Sequence, residues 1–161
     1  MIPTTQQLLE FVLQEKTEAN EPQQIPLEEN RRESFKNQVS QIFKYSLPKS
    51  YLDILSQADG LDCNGIVLYA STSYYAGERF IIQGFLEANK LLRDYLPNRD
   101  FIYYAESGMD FYRHNLQAGK FEISARIGNT VFESFDTAEE LFNQILKHML
   151  GDYGEENDEE V

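Results

Sequence analysis

Apolar residues recur at three- and four-residue intervals through the first half of the chain and at alternate positions after residue 100, which places most helices ahead of the sheet. Leu8, Leu9, Val12 and Leu13 form one helical stripe, and Thr4 with Gln7 three residues later makes a capping box. This first helix is expected to reach about Ala19. Residues 20–24, with Pro22 and Pro26, break the period, because proline lacks a backbone donor and disfavours helix in the residue before it. Phe35, Val39, Ile42 and Phe43 predict a second helix over residues 28–44. Pro48 suits the start of a third, with Tyr51, Leu55 and Ala58 on one side and Gly60 as its stop. Asp62-Cys63-Asn64-Gly65 then reads as a turn and Ile66 to Ala70 as a buried strand.

A polar loop holding Tyr74, Tyr75, Gly77 and Glu78 follows. Phe85, Leu86, Leu91 and Leu92 mark a helix between Gly84 and Tyr95, closed by Pro97. Residues 101–106 and 109–114 are aromatic-rich runs joined at Ser107-Gly108, a hairpin. Phe121, Ile123, Ala125 and Ile127 alternate with polar residues, and Gly128-Asn129 links them to a strand over 130–135. Asp136 or Thr137 can cap a last helix carrying Leu141, Phe142, Ile145, Leu146 and Met149, and Gly151 ends it. The expected fold class is α+β: a single domain whose mainly antiparallel sheet is packed with N-terminal and C-terminal helices. Residues 1–24 form the first helix and linker, 25–150 the main α+β unit, and 151–161 a disordered tail with six acidic residues and no basic one.

Composition narrows the function classes. The 161 residues include 11 Phe and 10 Tyr, ample for one core. The net charge of −13 argues against nucleic acid, whose affinity comes from Lys and Arg neutralising phosphates, and favours a basic partner. Without the tail, 21 acids face 14 bases, so the folded body keeps −7. No apolar run is long enough to cross a membrane and the first residues lack a signal core, so a cytoplasmic location is expected. A single cysteine, Cys63, excludes an internal disulfide, and two histidines 34 residues apart are a poor start for zinc. No metal or cofactor is expected.

The helix Leu47-Pro48-Lys49-Ser50-Tyr51 through Ala58-Asp59-Gly60 leads into the strand Ile66-Val67-Leu68-Tyr69. With Phe85-Leu86-Glu87-Ala88-Asn89 and the closing Ser134-Phe135-Asp136-Thr137 and Leu141-Phe142, this order resembles the Smi/Knr-type family of the SUKH superfamily. The resemblance covers roughly residues 26–150. It implies an α+β domain used for binding: bacterial members are regarded largely as immunity proteins that neutralise a toxin, often a nuclease, and fungal members as regulators of cell-wall synthesis. It brings no catalytic triad. The chain departs from the family in having no tryptophan and an altered turn over residues 59–65.

Glu106, Asp110 and His114 are the most enzyme-like set, a carboxylate and an imidazole able to share a proton. A solvent-facing hairpin with Phe111 turned inward explains them more simply, since spacing supplies neither nucleophile nor metal partner. Cys63 could be a thiol nucleophile, but nothing pairs it with His114 or His148. Gly60 and Gly65 lack the lysine of a phosphate loop. His148 is accounted for by the helix dipole. Tyr74 and Tyr75 suit an interface, and with Glu78, Asp59, Asp62 and Asp110 they would make an acidic rim with aromatic anchors for a basic protein partner. Local packing and turn formation explain the same residues without a partner.

Overall fold

The helical half begins where its caps put it. In the computed structural model, which describes residues 2–21, 24–75, 81–95 and 99–154, Gln7 N–H donates to Thr4 Oγ1 and Thr4 N–H donates to Gln7 Oε1. This full capping box opens α1 (Thr5–Glu18). α2 (Glu29–Phe43) buries Phe35, Val39 and Phe43 but leaves Ile42, expected in the same stripe, exposed. α3 (Lys49–Leu55) stops five residues before Gly60, the last turn being closed by the Ser56, Gln57 and Ala58 N–H groups. Gly60 serves another purpose. At φ +90°, a Cβ there would stand 2.6 Å from Ile82 Cγ2 and 2.8 Å from the Ala70 side chain, so the backbone can pass only as glycine.

The turn expected over residues 62–65 is shorter than that. Leu61–Cys63 form β1, paired antiparallel with β2 (Ile66–Leu68), and Asn64 and Gly65 alone make the turn, with φ of 54° and 82°. Two successive positive φ angles match the right-handed twist of the strands they join. β2 ends at Leu68, although Tyr69 N–H still donates to Tyr104 O at 2.9 Å and Ala70 bridges Gly84. A small separate pair follows, β3 (Tyr74–Tyr75) and β4 (Ile81–Ile82), and then α4 (Phe85–Tyr95). Pro22, Gly77, Glu78, Pro97 and the tail from Glu155 lie outside the described residues.

β5 (Phe101–Glu106), β6 (Asp110–Asn115), β7 (Lys120–Ala125) and β8 (Val131–Phe135) complete a sheet of order β1-β2-β5-β6-β7-β8, antiparallel throughout. β7 stops at Ala125, so Ile127 is not an inward strand residue. It sits in the loop to β8 and is 91% exposed. α5 (Ala138–Met149), opened by a Thr137/Glu140 capping box, lies on one sheet face and buries Leu141, Phe142, Ile145, Leu146 and Met149. Phe142 stacks on Tyr51 at 5.6 Å and meets Tyr104 edge-on at 5.1 Å. α1 packs on α5, and Leu8, Leu9 and Val12 share the main core, so the first helix is integral to one α+β domain.

Two polar devices fix the sheet. Where β2 has ended, the Asn89 amide of α4 takes its place: Nδ2 donates to Tyr103 O at 2.9 Å and Oδ1 accepts from Tyr103 N–H at 2.8 Å. On the face away from α5, Tyr103, Arg113 and Glu122 are cross-strand neighbours. Arg113, 2% exposed, lies 3.8 Å over the Phe101 ring, pairs with Glu122 at 3.0 Å and donates to Asn129 Oδ1 at 2.6 Å. A buried guanidinium is tolerable because each side is met by an acceptor or a ring.

Candidate functional site

Three turns between strands, at residues 64–65, 107–109 and 126–130, gather at one end of the sheet, while the β6–β7 turn lies at the other. The hairpin register sets Asp62 beside Val67, Val67 beside Glu106, Glu106 beside Phe111, Phe111 beside Ser124 and Ser124 beside Val131, one row across all six strands. Directly paired residues share a face, so Asp62 and Glu106 belong to the face away from α5. Beyond this row lie residues 107–109 and 126–130, held together because Arg126 N–H donates to Met109 O at 2.9 Å. Large apolar side chains project there: Met109 is 78% exposed, Ile127 91%, Phe132 58% and Val131 44%. Exposed apolar residues clustered at loops on a rigid sheet are the usual makings of a contact surface.

Acidic groups border this cluster. Glu106 accepts from Tyr69 OH at 2.6 Å and pairs with Arg126 at 3.1 Å, and Arg126 in turn lies 4.8 Å over the Phe111 ring. Asp110, half-buried at the start of β6, is pushed up by burial. Asp62, at the same end but on β1, the edge strand farthest from β8, is also pushed up by burial, which Lys16 partly offsets. Glu133 is exposed on β8.

The anticipated acidic rim is thereby divided. Asp62 and Asp110 lie at the turn end of the sheet, whereas Asp59 is only 3% exposed and accepts from Ser71 N–H at 2.8 Å and Ser71 Oγ at 2.9 Å. Its carboxylate ties the end of α3 to the segment after β2 and cannot line a surface. Tyr74 is half-buried over it, donating to Asp59 O at 2.8 Å, and burial pushes its hydroxyl up to about 12. Tyr75 is exposed on the small sheet, and Glu78 falls outside the described residues. Met109, Ile127, Val131 and Phe132 were absent from the expected set. Val-Phe-Glu-Ser-Phe reads as an ordinary strand, and only its place at the sheet edge leaves Phe132 uncovered.

The enzyme-like residues separate as well. Glu106 lies on the face away from α5, and Phe111, expected inward, is buried on that same face at 5% exposure and packed against Tyr103. Asp110 and His114 share the helix side but are four residues apart with Tyr112 between them. His114 stacks on Phe121 at 3.9 Å, is hydrogen-bonded through Nδ1 to Tyr45 OH at 2.7 Å, and is pushed down by burial. Tyr45 is in turn hydrogen-bonded to Tyr104. His148 is held by Tyr112 OH at 2.9 Å, and burial pushes it down to about 4. Burial raises Cys63, whose Sγ lies 3.8 Å from Met149 O. Among the described residues no group of three or more His, Cys, Asp or Glu is placed to hold a metal ion.

Apart from Arg126, a cluster of cations lies elsewhere on the molecule. Lys90, Arg93 and Arg99 surround a cavity of about 300 Å³ with Asp94, Ile42 and Phe43, and Arg93 lies 4.9 Å over the Phe43 ring. Among the described residues no helix is long and apolar enough to cross a membrane.

The architecture and its exposed sheet end define an α+β domain. No protein-family model matches the chain, and no curated protein matches it. Among solved structures it is similar to the crystal structure of a protein from Pseudomonas syringae pv. tomato, with a TM-score of 0.53, 18% identity, and coverage of 84% of this chain and 93% of that one. At that identity the likeness establishes the fold alone.

Proposed function

We propose that the chain is a non-enzymatic protein-binding domain of the Smi/Knr type in the SUKH superfamily, acting in the cytoplasm as an immunity protein that neutralises a basic toxin such as a nuclease. The observation that carries the reading is the apolar cluster of Met109, Ile127, Val131 and Phe132 bordered by Glu106, Asp110 and Glu133. An apolar centre with an acidic border suits a basic protein surface, the apolar part supplying affinity and the carboxylates steering approach. Occlusion of a cationic cleft by such a surface would need no turnover. The family resemblance of residues 26–150 and the net charge of −13 point the same way.

The test is titration calorimetry at low salt against toxin domains encoded by neighbouring genes. A one-to-one complex that abolishes toxin activity is expected. No complex with any of them overturns the proposal, and a stoichiometric complex with a housekeeping protein instead would mark a regulatory scaffold.

A further inference from the structure

We infer that β8 is a strand-addition site that accepts an extended, basic segment of the partner, an inference that rests on reading the chain as a protein-binding domain. β8 is last in the sheet order, with β7 on one side and, among the described residues, no strand on the other. Its outer edge therefore offers a row of backbone donors and acceptors of the kind that pairs with another chain. Natural edges are usually blunted by lysine, proline, a bulge or a covering element. Val131-Phe132-Glu133-Ser134-Phe135 has neither lysine nor proline; its one irregularity is a bulge at Phe132, after which Glu133, Ser134 and Phe135 pair in regular register with Ile123, Glu122 and Phe121. The opposite edge shows the contrast: β1 is three residues long, and Lys16 of α1 reaches over to donate to Asp62 O at 2.7 Å.

Charge selects the occupant. A second copy pairing antiparallel about the centre of β8 would set Glu133 directly opposite Glu133, and like charges in that position destabilise a sheet. Each copy would also bring a net −13. A heterologous segment with Lys or Arg opposite Glu133 turns the same position into an attraction. Because successive strand side chains point to opposite faces, a segment alternating basic and β-branched residues sets its cations on the Glu133 face and its apolar residues on the face of Val131 and Ser134, next to the exposed Phe132 in the bulge. Met109 and Ile127, exposed next to the start of β8, extend the apolar contact.

The experiment uses the full chain and a nine-residue peptide alternating valine and lysine, with a valine–glutamate peptide as its counterpart, read by amide hydrogen exchange and by titration. The lysine peptide is expected to protect the amides of residues 131–135 and to bind at least tenfold more tightly than the glutamate peptide. Glu133→Lys should reverse that preference, and Phe132→Ser should weaken the lysine peptide about tenfold. Both positions are exposed, so the variants should unfold at nearly the native temperature. Absence of binding, protection elsewhere on the acidic surface, or a preference unchanged by Glu133→Lys overturns the inference. Self-association that protects β8 without peptide also overturns it, by giving the edge to a second copy. The two proposals fail separately: a toxin complex indifferent to both substitutions removes the β8 site and leaves the immunity reading, whereas peptide docking on β8 without any toxin complex does the reverse.

Discussion

Arg113 and Glu122 are two charges placed where neither would survive alone. Removing the carboxylate by Glu122→Ala leaves a guanidinium that is 2% exposed without its counter-ion, and a loss of about 3–5 kcal/mol is expected in urea unfolding. Arg113→Met combined with Glu122→Leu should recover most of it, because an apolar pair removes the desolvation along with the attraction. His148 gives a test with a pH axis. Burial holds it at about 4 in the folded chain, while the unfolded value is 6.5. Between those values the unfolded chain takes up a proton that the folded chain refuses, so stability should fall as pH is lowered from 6.5 towards 4, by about 1.4 kcal/mol per pH unit. His148→Gln should flatten this slope in denaturant titrations across the window. His114, also pushed down by burial, contributes a slope of the same sign.

At the scale of elements, the chain's tight places can be separated from its loose ones by single methyl groups. Gly60→Ala is expected to cost more than about 1 kcal/mol, since its φ is +90° and Ile82 and Ala70 occupy the space. Gly108→Ala, in an open turn with nothing within 4 Å of the added carbon, should leave the thermal midpoint nearly unchanged. These positions also show how far sequence reading reached. All five helices and the two C-terminal hairpins were legible because their periods and caps are local, as at Thr4 with Gln7 and at Leu141 through Met149. β1 was missed although Asn64-Gly65 is a strong hairpin signal, because a three-residue strand shows too little alternation to be recognised. Ile127 was misplaced because alternation continues past the residue where pairing stops. Of the candidate site, Asp62 and Asp110 were legible as carboxylates near turns. The burial of Asp59 was not, since it depends on Ser71, twelve residues on. The exposure of Phe132 depends on strand order, which no local pattern carries.

For the whole molecule, charge governs encounters more than stability. Association with a basic partner is expected to slow steeply between about 20 and 200 mM salt, where the screening length shortens, while dissociation changes much less. Stopped-flow measurements separate the two, and an association rate independent of salt would remove steering from the mechanism. The same scale brings out what the packing of α1 on α5 means for synthesis. Leu8, Leu9 and Val12 of α1 share the core with Leu141, Phe142 and Ile145 of α5, yet they are synthesised well before them. The β5–β8 hairpins can form as they appear, but the apolar stripe of α1 must wait for its α5 neighbours until residues 138–149 have been translated. Nascent chains stalled before residue 138 should therefore be held by chaperones at their amino end and let go once α5 has emerged.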